Sequence, residues 1–144
     1  MAFQLHPALQ QDCVSLGDFQ LCRLLLMRDA NYHWLILVPK RDGISEQFQL
    51  DPLDQEQLIW ESSFVAKRMM EHFQADKMNI AALGNVVPQL HIHHVARFRT
   101  DPAWPSPIWG RVPAKLYEPQ QLQQKVVELQ QLFSSSAFVP RVEK

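Results

Sequence analysis

Residues able to do chemistry gather in the stretch Leu83-Gly84-Asn85-Val86-Val87-Pro88-Gln89-Leu90-His91-Ile92-His93-His94-Val95-Ala96-Arg97, which places two amides and two imidazoles close together at Asn85, Gln89, His91 and His93. Gln89 to Arg97 suits a β-strand. Period-two alternation puts Gln89, His91, His93, Val95 and Arg97 on one face and Leu90, Ile92, His94, Ala96 and Phe98 on the other. One face is therefore polar and the other mainly apolar. Side chains two apart on a strand stand about 6.5–7 Å apart at their bases, so two imidazoles and an amide can converge on one phosphate group or one metal ion.

The flanking sequence must supply the elements that hold this strand. Pro7 through Asp12 suits a short helix with Pro7 at its first position, Cys13 to Leu16 a brief extended piece, and Gly17-Asp18 a turn. Phe19 to Met27 reads as a strand, Arg28 to Tyr32 as a polar connection, and His33 to Val38, closed by Pro39, as a strand covered on both faces. Lys40 to Gly43 is a charged turn, followed by loop to Leu50. Asp51 can then cap a helix that has Pro52 at its first position and Asp54 in its first turn, running to about His72 or Phe73. Along it Leu58, Ser62, Val65, Met69 and Phe73 form a stripe able to lie on a sheet. Lys77 to Leu83 is the next strand, and Gly84 to Pro88 bends the chain into the histidine strand. The order β-β-α-β-β predicts an α+β domain, an antiparallel sheet with one long helix packed on it.

Past Phe98 the segment Asp101 to Gly110 holds three prolines and two tryptophans, too many prolines for a helix and too much aromatic surface for a solvated linker. It is expected to pack on its own domain, near the site or on a second subunit. Glu118-Pro119 opens a C-terminal amphipathic helix, about residues 119–134, with Leu122, Val126, Leu129 and Phe133 on one face. With 144 residues, 47% of them hydrophobic, the chain is the size of one domain, 1–144. The 14 Lys+Arg against 15 Asp+Glu offer no broad field for duplex nucleic acid or an anionic membrane, while a small phosphorylated ligand needs only a few local donors. No export signal or spanning helix is visible. Cys13 and Cys22 have neither metal-ligand nor redox spacing, so buried free thiols and a cytoplasmic location are expected.

The residues from Gly84 to His93 resemble the histidine-triad (HIT) family, whose pattern is Gly-Gln-x-Val-x-His-x-His-x-His followed by two apolar residues. Asn85 stands where the family usually has Gln and keeps the amide, whereas Gln89 stands where the first histidine belongs and removes an imidazole. Leu24 to Asp29 and Trp34 to Lys40 are similar to the family's nucleoside-binding strands, so the resemblance spans about residues 18 to 110. It implies a HIT-like fold, a nucleotide or nucleoside-phosphate ligand, no cofactor, and a homodimer. It also implies cleavage at an α-phosphorus through a nucleotidyl-histidine, with His91 as nucleophile, His93 stabilising or protonating, Asn85 bonding the phosphate, and Gln89 in the first histidine's supporting place. The chemistry is sound in its own right, because a neutral imidazole is a competent nucleophile and needs no metal.

Two other functions stay open. Gln89 cannot titrate near neutral pH, which favours a nucleotide-binding or signalling module with little catalysis. Alternatively His91 and His93 could offer two ligands to a divalent metal, although no third ligand follows at close spacing. The plainest account leaves these histidines satisfied within a half-buried strand. Outside the motif, Arg28 or Asp29 could reach a ribose or phosphate, and Asn79 could help hold the site. Arg97 and Arg99 could attract anions or lie on a solvated edge, and His6, His33 and His72 are given structural places.

Overall fold

Strands that are apolar on both faces need two covers, and the computed structural model, which describes residues 2–142, provides both. In chain order the elements are α1 (Pro7–Asp12), β1 (Cys13–Asp18), β2 (Cys22–Met27), β3 (His33–Pro39), α2 (Pro52–Phe73), β4 (Lys77–Ala81), β5 (Ile92–Arg97), α3 (Pro119–Leu132) and a short β6 (Val139–Pro140). The strands make one antiparallel sheet ordered β4-β5-β3-β2-β1-β6. Leu24, Leu26, Leu35, Leu37, Ile92 and Ala96 face Leu58, Val65 and Met69 of α2, together with Leu129 and Phe133 at the end of α3. Leu25, Trp34, Ile36, Val38 and Val95 face the opposite way, toward Leu9 of α1 and toward Ala103 and Ile108 of the Pro/Trp segment. The α+β architecture is the one the sequence predicts.

The long helix also starts as expected: Asp51 Oδ1 accepts the Asp54 N–H at 2.9 Å and Pro52 follows the cap. It ends where Gln74 turns left-handed, at φ 53°. Near that end His72 Nε2 lies 2.6 Å from Glu128 Oε2, which ties α2 to α3.

Four boundaries differ from expectation. Gly17 and Asp18 do not turn but continue β1, with a register shift between Ser15 and Gly17, and β2 begins at Cys22 rather than Phe19. The reason is the fully buried Glu61 of α2, whose carboxylate accepts the N–H groups of Leu21 and Cys22, both at 2.8 Å. Those donors are satisfied from the helix, so the turn forms there. A short 3-10 turn, Gln47–Gln49, interrupts the predicted loop. Strand β4 stops at Ala81, and β5 begins at Ile92 rather than Gln89, because the chain from 82 to 91 leaves the ladder to fold over the site. Strand β6, two residues long, carries no periodic pattern; it comes so close to β1 that a Cβ on Gly17 would sit 2.3 Å from Phe138 Cζ and 2.5 Å from the Val139 oxygen.

Cys13 and Cys22 are free and buried, and burial pushes the Cys13 thiol up to about 12. Among the described residues no helix is long and apolar enough to cross a membrane.

The Pro/Trp segment is anchored by Arg97, which is neither a solvated edge nor an anion trap. Its guanidinium, 1% exposed, donates to both oxygens of Asp101 (2.8 and 3.1 Å), to Asn79 Oδ1 (2.7 Å) and to the Ser106 carbonyl (2.8 Å), and lies over the Trp104 ring. Asp101 also accepts the N–H groups of Phe98, Ala103 and Trp104. Burial alone would raise this carboxyl, but the Arg97 contact and the backbone donors outweigh it and hold it at about 2. A carboxylate with a depressed pKa stabilises the fold above its unfolded value and loses that contribution as pH falls toward the folded one. We therefore expect Asp101→Asn to cost at least about 2 kcal/mol in urea unfolding at neutral pH, with the gap to wild type closing as pH falls from about 4 to about 2.

Candidate active site

Partners that can only donate or only accept assign the proton on each imidazole. His91 Nδ1 lies 2.7 Å from the Gln89 carbonyl oxygen, so it carries the hydrogen and Nε2 is left with the lone pair. For His93 the arrangement is reversed. The Trp34 indole N–H donates to its Nδ1 at 3.0 Å, and Nε2–H donates to the Leu83 carbonyl at 3.1 Å. The register explains the reach: Trp34 pairs with Val95 and Ile36 with His93, so the indole crosses a diagonal of the β3–β5 pair. The two imidazole rings meet edge to face, centroids 5.0 Å apart. Burial, reinforced by nearby His91 and opposed by the Leu83 carbonyl, lowers the His93 pKa to about 4.

His94 points into the other face, as alternation requires. Its Nδ1–H donates to the Ile92 carbonyl at 3.1 Å, and its Nε2 accepts the Ser62 hydroxyl of α2 at 2.7 Å. Burial lowers it to about 4 as well, and it is a satisfied core residue.

Gln89 lies ahead of the strand, and its side chain bonds neither histidine. Its Nε2 donates to the Gln4 carbonyl at 3.0 Å and its Oε1 accepts the His6 N–H at 2.8 Å, so the amide fastens the N-terminal segment beside the site. Asn85 sits exposed on the loop that crosses His91 and, among the described residues, its side chain makes no hydrogen bond. Asn79 is held by Arg97 rather than by the histidines. Arg28 and Asp29 line a cavity of about 510 Å³ together with Met27, Tyr32, Trp34 and Trp109. Asp29 Oδ1 there accepts from Asn31 and from the Lys115 N–H, whereas Arg28 Nε is buried without a partner.

Two residues of this region were not marked as site residues by the sequence. Trp34 read as part of an apolar run, although a buried indole N–H usually finds an acceptor. Trp109 of the Pro/Trp segment closes on His93 edge to face at 5.2 Å and on Trp34 at 6.0 Å. For a metal, the donor set is poor. Among the described residues no group of three or more His, Cys, Asp or Glu side chains could hold one, and both His93 nitrogens are already engaged.

Gly84 allows the loop to rest on the imidazole: a Cβ there would stand 2.9 Å from His91 Cε1 and 2.9 Å from the Val87 oxygen. Gly84→Ala is expected to displace the His91 ring and cost about 1–3 kcal/mol. Imidazole resonances in nitrogen–proton correlation spectra and urea unfolding check this, and unmoved His91 signals would show that the loop yields instead.

The architecture has counterparts among known proteins. Residues 8–100 match the HIT domain family. Among solved structures, a histidine triad protein from Marinobacter aquaeolei VT8 is 48% identical with a TM-score of 0.88, the match covering 92% of this chain and 96% of that one. A histidine triad protein from Bradyrhizobium japonicum is 41% identical, TM-score 0.89, covering 93% and 100% of the two chains. Another from Sinorhizobium meliloti 1021 is 40% identical, TM-score 0.87, covering 91% and 97%. Among curated proteins none matches. With two thirds of its length inside that family's boundaries and the same fold throughout, the chain belongs to the HIT domain family of histidine triad proteins.

Proposed function

We propose that this protein cleaves a nucleotide conjugate at its α-phosphorus and passes the nucleotidyl group through His91 to water or another acceptor. Family membership supports nucleotide-directed hydrolase or transferase chemistry in general. The observation that carries the finer reading is the opposed pair of tautomers: His91 Nε2 with a lone pair, and His93 Nε2 with a hydrogen to give. A nucleophile next to a donor suits in-line displacement at phosphorus, where negative charge spreads over the phosphoryl oxygens.

The remaining roles follow from placement. The cavity beside Trp34 and Trp109 has aromatic walls for a nucleobase, with Asp29 for ribose hydroxyls and the unpartnered Arg28 for negative charge. His91 is only 5% exposed, with Gly84 packed on its ring, and the exposed Asn85 next to Gly84 offers its amide to a bound phosphate. The Gln89 backbone carbonyl orients the nucleophile, while its side chain holds the N-terminal segment in place. A homodimer is in keeping with β4 at the open sheet edge, where Ile80 is exposed, and two unpaired cysteines suit a cytoplasmic setting. The second reading, a nucleotide-binding module with little turnover, is favoured by the Gln89 amide being turned away from both histidines.

Intact-protein mass spectrometry after brief, acid-free quenching with a dinucleoside polyphosphate separates the two. Wild type is expected to gain one nucleotidyl mass, and His91→Ala none, with product release falling by about 10³-fold or more. If both proteins bind the nucleotide and neither forms an adduct or releases product, the binding module replaces the enzyme.

A further inference from the structure

We propose that this site acts on nucleotide anhydrides, whose phosphate or carboxylate leaving group departs as an anion, and discriminates against phosphoramidates and simple esters, because Trp34 holds His93 as an N–H donor that cannot act as a general acid. The inference rests on nucleotidyl transfer to His91 and names the substrate class that such a site takes.

Three observations converge on it. First, the Trp34 indole can only donate, so the lone pair of His93 Nδ1 is committed to it; charging the ring would set two N–H groups against each other at 3.0 Å. Second, nothing packed against His93 favours its cation. Its cross-strand partners are Ile36 and Ala81, its ring neighbours Trp34, Trp109 and His91, and its other hydrogen bond goes to the Leu83 carbonyl. No carboxylate touches it among the described residues, and its lowered pKa agrees with that. Third, the first triad position supplies no replacement, since the Gln89 amide does not titrate and bonds Gln4 and His6. In the adjoining cavity the ionisable side chains are Asp12, Arg28, Asp29 and Tyr32. Of these, Asp29 Oδ1 already accepts from Asn31 and Lys115, and the Tyr32 phenol is made a weaker acid by burial and by the Asp101 and Asp29 charges.

The chemistry then selects the substrate. The lone pair of His91 Nε2 forms the N–P bond while the bond from phosphorus to the leaving group breaks, its electron pair going with the departing atom. A phosphate or carboxylate is stable with that charge, whereas an amine or alcohol has to be protonated as it leaves. His93 Nε2–H exchanges the Leu83 carbonyl for a phosphoryl oxygen and keeps its proton throughout. Water next attacks phosphorus, the N–P electron pair returns to His91 Nε2, and the proton lost by water passes to solvent.

A series of adenosine 5′-phosphate conjugates tests this: the para-nitrophenyl ester, the phenyl ester, the phosphoramidate and a dinucleoside polyphosphate. Wild-type kcat/KM is expected to fall by about 10²-fold or more from para-nitrophenyl to phenyl ester, with the phosphoramidate slow and the polyphosphate fast. Near-equal rates across the series would overturn the proposal. Trp34→Phe removes the donor and leaves an aromatic ring, while the burial that lowers the His93 pKa remains; the midpoint of the His93 titration in its nitrogen chemical shifts should then rise above the wild-type one, and the phenyl ester should gain relative to the para-nitrophenyl ester as pH falls. An unaltered His93 titration in a folded Trp34→Phe protein would remove Trp34 from the account, and if that variant does not fold, the wild-type series alone decides. Should even the para-nitrophenyl ester give neither product nor an adduct on His91, nucleotidyl transfer itself fails, an outcome distinct from a flat dependence on leaving group.

Discussion

A buried imidazole is stable without charge only if each ring nitrogen finds a partner of the right kind, and strand β5 meets that constraint at two consecutive positions. His94 is served from the helix side by the Ser62 hydroxyl and the Ile92 carbonyl. His93 is served from the opposite side by the Trp34 indole and the Leu83 carbonyl. Each solution requires an element to lie in one place: α2 must bring Ser62 over the sheet, β3 must set Trp34 one diagonal from His93, and the 82–91 loop must pass close enough for a carbonyl to accept. The site and the packing of the sheet are thus one arrangement. Slipping β5 against β3 by one residue would exchange the two faces and leave both imidazoles with unmatched surroundings.

This also accounts for what could be read in advance. Alternation from Ile92 to Arg97 assigned His93 and His94 to their faces, because burial on each side of a strand follows from period two alone. The cap at Asp51 and the stripe from Leu58 to Met69 placed α2 correctly, since both depend on local spacing. The misplaced features depend on partners far away in sequence. Phe19 to Leu21 left the strand for a carboxylate forty residues on, at Glu61. Gln89 left it for Gln4 and His6, reached across the whole N-terminal part of the chain. Arg97, in a pattern that suited a solvated edge, became the buried anchor of Asp101 and Ser106. No local period records such pairings.

The role of the aromatic residues was the least legible. Trp34 sits within a run whose hydrophobicity is fully explained by a doubly covered strand, so its polar edge drew no notice. Trp109 lies in a proline-rich stretch without regular structure, yet Arg97 fixes that stretch so firmly that the indole becomes a wall of the site. Sequence composition showed that this segment had to pack somewhere. The choice of location came from the Arg97 guanidinium, which bonds the Asp101 carboxylate and the Ser106 carbonyl.

Strand β6 adds little area, but it changes what the sheet can do at its rim. Val139 and Pro140 lie along β1, and Pro140, with no N–H, cannot offer a full ladder to another chain. The sheet therefore has one bare margin, at β4, and one blunted margin. Were two β4 margins to pair about a two-fold axis, no complementary margin would remain to propagate a filament.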